Sequence, residues 1–219
     1  NTGAGGPTAL DSVIFGDTGT SADSNTVNNV VDAGFAGTVA NLTYNSASAT
    51  SSSAPVFNVT QIPSGQTLTV AGNLLVGGLN EGAGAYITYA YLTGGGALEV
   101  TGTNVFVENY GSAAGANATA YLDLSGLSDF IFNNTNAELS IADTTSGLTR
   151  AGGNLNLASV SNFIDVATIN LATSSSAQAG PNSLLTLGAG TNIIYVSNFN
   201  IANDKNSADV TVAAPSGGL

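Results

Sequence analysis

Gln66-Thr67-Leu68-Thr69-Val70-Ala71-Gly72-Asn73-Leu74-Leu75-Val76-Gly77 holds two short strand-like runs, and related runs return about every thirty residues. The first run aligns with Gly96-Ala97-Leu98-Glu99-Val100, Ser128-Asp129-Phe130-Ile131-Phe132, Ser161-Asn162-Phe163-Ile164-Asp165 and Thr191-Asn192-Ile193-Ile194-Tyr195. Its anchors are Leu68, Leu98, Phe130, Phe163 and Ile193. The inward phase of this run stays open. Phe130 with Phe132 implies one phase, whereas Ile164 with Val166 and Ile194 with Val196 imply the other, a conflict that a bulge or slipped register reconciles.

The second run gives the clearest ladder. Leu74 and Val76 are followed by Val105 and Val107, Leu139 and Ile141, Ile169 and Leu171, and Phe199 and Ile201. Spacing of i, i+2 puts both members of each pair on one face of a strand. A third ladder runs through Tyr91-Leu92, Leu122-Asp123-Leu124, Leu155-Asn156-Leu157, Leu185-Thr186-Leu187 and Val210-Thr211-Val212. Three ladders advancing together predict an all-β parallel β-helix (β-solenoid), with three strands per coil of about 30 residues and about six coils. With strands about 4.8 Å apart, such a rod is roughly 30 Å long. The segments Gly77 to Ala90, Asn109 to Thr119 and Thr173 to Ser183 are rich in Gly, Ser and Ala and read as loops along one edge.

Asn41-Leu42-Thr43-Tyr44 resembles the second ladder, and Phe57-Asn58-Val59 fits the third. The domain plan is therefore residues 1–25 as an N-terminal cap or edge segment around Val13-Ile14-Phe15, 26–213 as the parallel β-helix and 214–219 as a C-terminal tail. No amphipathic helix stands at either end to cap the solenoid. Two readings follow: the coils are an excerpt of a longer solenoid, or subunits stack head to tail through uncapped ends.

Composition narrows the function. Apolar residues make up 43% of the chain and charged residues 7%, with 14 acidic residues against Arg150 and Lys205. The net charge of -12 lacks the basic footprint that nucleic acid requires. Two basic residues leave little for a trypsin-like protease to cut, which suits an extracellular location. No run approaches the roughly 18 apolar residues of a membrane span, so direct membrane insertion is not expected. Asn1 is not a start residue, so a leader or further protein upstream is expected to have been removed.

The stretches Gln66 to Gly77 and Ala120-Tyr121-Leu122-Asp123-Leu124-Ser125-Gly126-Leu127 resemble the repeats of exported bacterial β-helix surface proteins with autotransporter-associated β-strand repeats, as in Verrucomicrobia and Planctomycetes. Asp11-Ser12-Val13-Ile14-Phe15-Gly16-Asp17 is similar to the start of such regions. The resemblance implies export to the cell surface and a β-helix, and it carries no catalytic residues.

Chemistry is sparse. With no His and no Cys, Ser-His-Asp triads, Cys-His pairs and disulfides are excluded. Glu99, Asp123, Asp129 and Asp165 are the carboxylates that a β-helix glycosidase would need, but Glu99 and Asp123 fall on different ladders and read as solvated. No enzyme activity and no cofactor is expected; calcium at Asp11, Asp17 and Asp23 is the one metal site to weigh, against an ordinary soluble loop. Thr67/Thr69 and Thr101/Thr103 do not share a column, which argues against an ice-binding face. Tyr91 and Tyr121, 30 residues apart, are candidate glycan contacts, weighed against packed ladder residues. Sequons occur at Asn41, Asn58, Asn117 and Asn133. The expected role is a structural subunit of an extracellular fibre, surface layer or adhesin stalk that self-associates. The alternative is a carbohydrate-binding module contacting surface glycans, and the third a carbohydrate-active enzyme.

Overall fold

Alternating apolar and polar residues favour strands here, and small residues let the backbone turn between them. The computed structural model describes residues 6–35, 37–46, 55–81, 86–111, 118–143, 151–173, 181–202 and 207–213. Strands β1 (Ser12–Phe15) and β2 (Asn29–Val30) come first. Successive coils follow: β3 (Thr38–Val39), β4 (Asn41–Tyr44) and β5 (Phe57–Gln61); then β6 (Thr67–Val70), β7 (Leu74–Glu81) and β8 (Ile87–Thr93); then β9 (Ala97–Val100), β10 (Asn104–Gly111) and β11 (Thr119–Asp123). In the remaining coils the first two faces share one bent strand. These are β12 (Asp129–Ile141) with β13 (Ala151–Asn156), β14 (Ser161–Leu171) with β15 (Ser183–Leu187), and β16 (Thr191–Ile201) with β17 (Ala208–Val212). Each strand pairs in parallel with its counterpart one coil away, which makes the chain an all-β solenoid. Among the described residues there is no helix.

The second face carries the most regular core. Tyr44, Val76, Val107, Ile141, Leu171 and Ile201 stand in one column, and Leu42, Leu74, Val105, Leu139, Ile169 and Phe199 in the next. β1 adds a further rung, with Val13 on Leu42 and Phe15 on Tyr44. Burying a Leu- or Ile-sized side chain contributes about 1.5–3 kcal/mol. Each coil gains that only from the coils on either side of it.

Three expectations need correction. On the first face Phe130 stands against Asn162, not Phe163, and Phe132 stands against Ile164. The two inward phases are therefore one phase, read a residue out of step: Phe163 points outward and Asn162 is buried. On the third face Leu122 stands against Ala90 rather than Leu92, while Leu155, Leu185 and Val210 continue its column. Part of the expected loop edge is strand, because β7 and β10 stay paired as far as Glu81 and Gly111, across a register shift. Ile87 to Ala90 likewise belong to β8.

Two corners show why small residues recur. A Cβ on Gly102 would lie 1.7 Å from the Gly72 carbonyl oxygen, so only glycine allows those backbones to stack. Past the second face, Ala142, Ala172 and Ala202 hold φ of 57°, 56° and 47°. Each donates its N–H to the residue before the matching corner one coil back: Val107, Ile141 and Leu171. A left-handed corner is thus built in alanine, and it repeats.

Candidate functional site

The two ends of the solenoid differ. At the β1 end, Val13, Phe15, Val31, Phe35, Val39 and Leu42 line an apolar cavity of about 380 Å³. Phe35 packs against the core there. At the opposite end the core columns run out into solvent. Ile169, Leu171 and Leu185 are fully buried, yet their successors Phe199, Ile201 and Val210 are 39%, 49% and 43% exposed. Val212, in the column of Leu187, is exposed as well. Among the described residues β16 and β17 pair on one side only, and so do β1 and β2. The described residues at both ends therefore present strand edges.

Between these ends, the third face carries a row of rings. Tyr121 stands in register with Tyr89, because β11 follows β8 at an offset of 32 (Thr119 against Ile87), and Tyr91 stands against Asp123. The expected pairing of Tyr91 with Tyr121 is thus wrong by one inward–outward repeat. Tyr89 and Tyr121 stack at 4.8 Å and 17°, and Phe57 lies 4.8 Å beyond Tyr89 on its other side. Phe57 also lies 5.2 Å from Tyr91. Burial raises the Tyr89 phenol, with the Tyr121 phenol adding to it. Tyr91 is pushed up to about 12, chiefly by burial and then by the Asp123 carboxylate. The faces of Tyr89 are covered by its neighbours, which leaves edges and hydroxyls for solvent. A sugar ring stacks on an open aromatic face, which Tyr89 does not offer.

A carboxyl cluster where β10 meets the end of β12 escaped the sequence reading. Glu108, Tyr110, Glu138, Ser140 and Asp143, with Leu75 and Phe106, border a concavity of about 350 Å³. Glu108 is buried; it accepts hydrogen bonds from the Tyr110 hydroxyl and from the Asp143 N–H at 3.0 Å. The Asn170 amide bridges Glu138 at 2.7 Å and Asp143 at 3.0 Å. Burial pushes the Glu108 carboxyl up to about 8, against the opposing pull of its two donors. Its oxygens are committed to protein partners, so the group can store a proton but presents little to a substrate. Glu108 and Glu138 carried no signal because the register sets Glu138 against Asn104.

The carboxylates singled out from sequence stay apart. Glu99, Asp129 and Asp165 lie on the first face and Asp123 on the third. Asp11 accepts from Thr8, Asp17 from Ser46 and Asp23 from Asn25, so each serves its own turn or contact. Among the described residues no group of three or more acidic side chains is placed to hold a metal ion. Of the sequons, Asn133 is exposed, whereas Asn41 is half-buried and bonded to Ser12 and Asn73. Asn58 is buried, because it points into the core beside Ala90, so the folded chain does not present it as an acceptor. Asn117, Arg150 and Lys205 lie outside the described residues.

No protein-family model, curated protein or solved structure matches the chain.

Proposed function

We propose that this chain is a structural subunit of an extracellular or cell-surface assembly, in which solenoids stack head to tail. The observation that carries the reading is the emergence of Phe199, Ile201 and Val210 from columns that are buried in the coils between the two ends. The exposed end is continuous with the coil-on-coil interface and has the same columns, strand direction and unpaired edge. A second copy fits it, with Val13 and Phe15 of β1 continuing the columns of Phe199 and Ile201, and β2 meeting β17. Both ends belong to one chain and are not self-complementary, so the contact is heterologous and propagates as a filament. A surface with so few basic residues supports a place outside the cell, where proteases are common. The structural role needs no catalytic group and no cofactor.

Electron microscopy and sedimentation of the 219-residue chain test this. The expected result is concentration-dependent rods in multiples of one length. Ile201→Lys and Val13→Lys should each stop growth while circular dichroism still reports β structure. Mixing the two variants should give dimers that grow no further. Rods of a single length at every concentration would overturn the reading, as would association that Ile201→Lys leaves intact.

A further inference from the structure

We infer that Tyr89 and Tyr121 form an oxidative cross-linking site, at which a one-electron oxidant joins neighbouring coils through a dityrosine bond. Three observations carry this. First, the two residues are in register on adjacent parallel strands, and their rings stack at 4.8 Å and 17°. The carbons ortho to each hydroxyl therefore lie near the same carbons of the other ring, roughly one strand spacing of about 4.8 Å away. Second, both rings are partly exposed, so an oxidant can reach their outer edges. Third, the chain has no Cys, Met, Trp or His. The side chains that ordinarily absorb oxidative damage are missing, which directs oxidation to tyrosine.

The pair is isolated as well as close. Phe57 closes the stack beyond Tyr89 and yields no phenoxyl radical, while Asn154 stands against Tyr121 on the other side. Tyr91 meets Tyr89 edge-on at 6.3 Å and stands against Asp123, a poorer geometry for coupling. Tyr44 is buried with its hydroxyl bonded to Thr60, and Tyr110 is bonded to Glu108.

The step balances as follows. Each phenol gives one electron to the oxidant and its hydroxyl proton to water, leaving two phenoxyl radicals. The radicals couple through their ortho carbons into one C–C bond, and the two displaced ring hydrogens migrate to the oxygens as the rings regain aromaticity. The protein loses two hydrogen atoms in all. A haem peroxidase supplied with one equivalent of hydrogen peroxide takes up those two electrons and two protons and forms water.

The test is to treat dilute protein with haem peroxidase and hydrogen peroxide. Dityrosine fluorescence should appear on a chain that stays monomeric in a denaturing gel, with its mass lower by two hydrogens. Peptic mapping should link Tyr89 to Tyr121, and the cross-linked chain should denature at a higher midpoint. Tyr121→Phe keeps the stacked ring and should abolish the signal, whereas Tyr195→Phe should not. Absence of dityrosine, emission that survives in Tyr121→Phe, or links found only between chains would each overturn the assignment.

Discussion

Asn162 donates its side-chain amide to the Asn192 side-chain oxygen at 2.9 Å, inside a column that Phe130 and Leu98 occupy one and two coils earlier. The same Asn162 closes a ring on Ala158, accepting from its N–H at 2.9 Å and donating to its carbonyl at 2.8 Å. Asn192 repeats the arrangement on Gly188. Asn162→Ala leaves two buried backbone groups of Ala158 without partners and should destabilise by about 3 kcal/mol. Asn192→Ala, at a partly exposed site, should cost about 1 kcal/mol. Urea denaturation of the two variants checks the order; equal losses would mean that burial does not set the penalty.

Glu108 links stability to pH. Its carboxyl titrates near 8 in the folded chain, above the ordinary value of 4.5, because it is buried. The native state therefore holds a proton that the unfolded chain has released. Stability is full below about 4.5, falls as pH rises toward about 8, and then levels off. The total loss is on the order of a few kcal/mol. Glu108→Gln keeps a neutral group of similar shape and should flatten this slope in urea titrations between about pH 3.5 and about pH 9, limits taken roughly one unit beyond the transition. A variant with the wild-type pH profile would assign the slope elsewhere.

Gly102 and Gly65 separate lack of space from backbone strain. Gly102→Ala places a methyl against the Gly72 backbone and should cost more than about 3 kcal/mol or prevent folding. Gly65 has a φ of 79° with nothing within 4 Å of an added Cβ, so Gly65→Ala should cost only about 1 kcal/mol. Thermal midpoints of the two variants provide the comparison.

The alanine corner gives a contrast of opposite sign. Ala202 is exposed in the left-handed region, so Ala202→Gly should stabilise by about 1 kcal/mol. Ala142 shares the conformation but is fully buried. Relief of strain there is offset by the loss of a methyl worth about 0.8 kcal/mol, so Ala142→Gly should be close to neutral. Calorimetry on both variants decides whether backbone or packing dominates.

The second ladder was legible because its inward residues are apolar in every coil and its spacing changes little. The first ladder misled because chemistry and orientation part company there. Phe163 and Tyr195 are aromatic yet face outward, 6.0 Å apart, while polar Asn162 and Asn192 face the column. A residue read by hydrophobicity alone falls one place out of step. The slip at Leu92 has a different cause. Ala90 is small enough to be overlooked as a core residue, so the larger Leu92 drew the alignment by two positions. The carboxyl corner lay beyond reach because Glu108, Asp143 and Asn170 meet only after the chain has wound through two further coils.

In β12, β14 and β16 the chain passes from one face to the next without leaving the strand. Two walls of those coils therefore form a single curved plate; β14 and β16 keep one register through the bend, whereas β12 and β14 shift register between Asn134 and Glu138. The bend is therefore firmest where neighbouring coils stay in step, so amide exchange should be slow at Asp165 and Val166 and faster at Asn134 to Glu138, where β12 and β14 part.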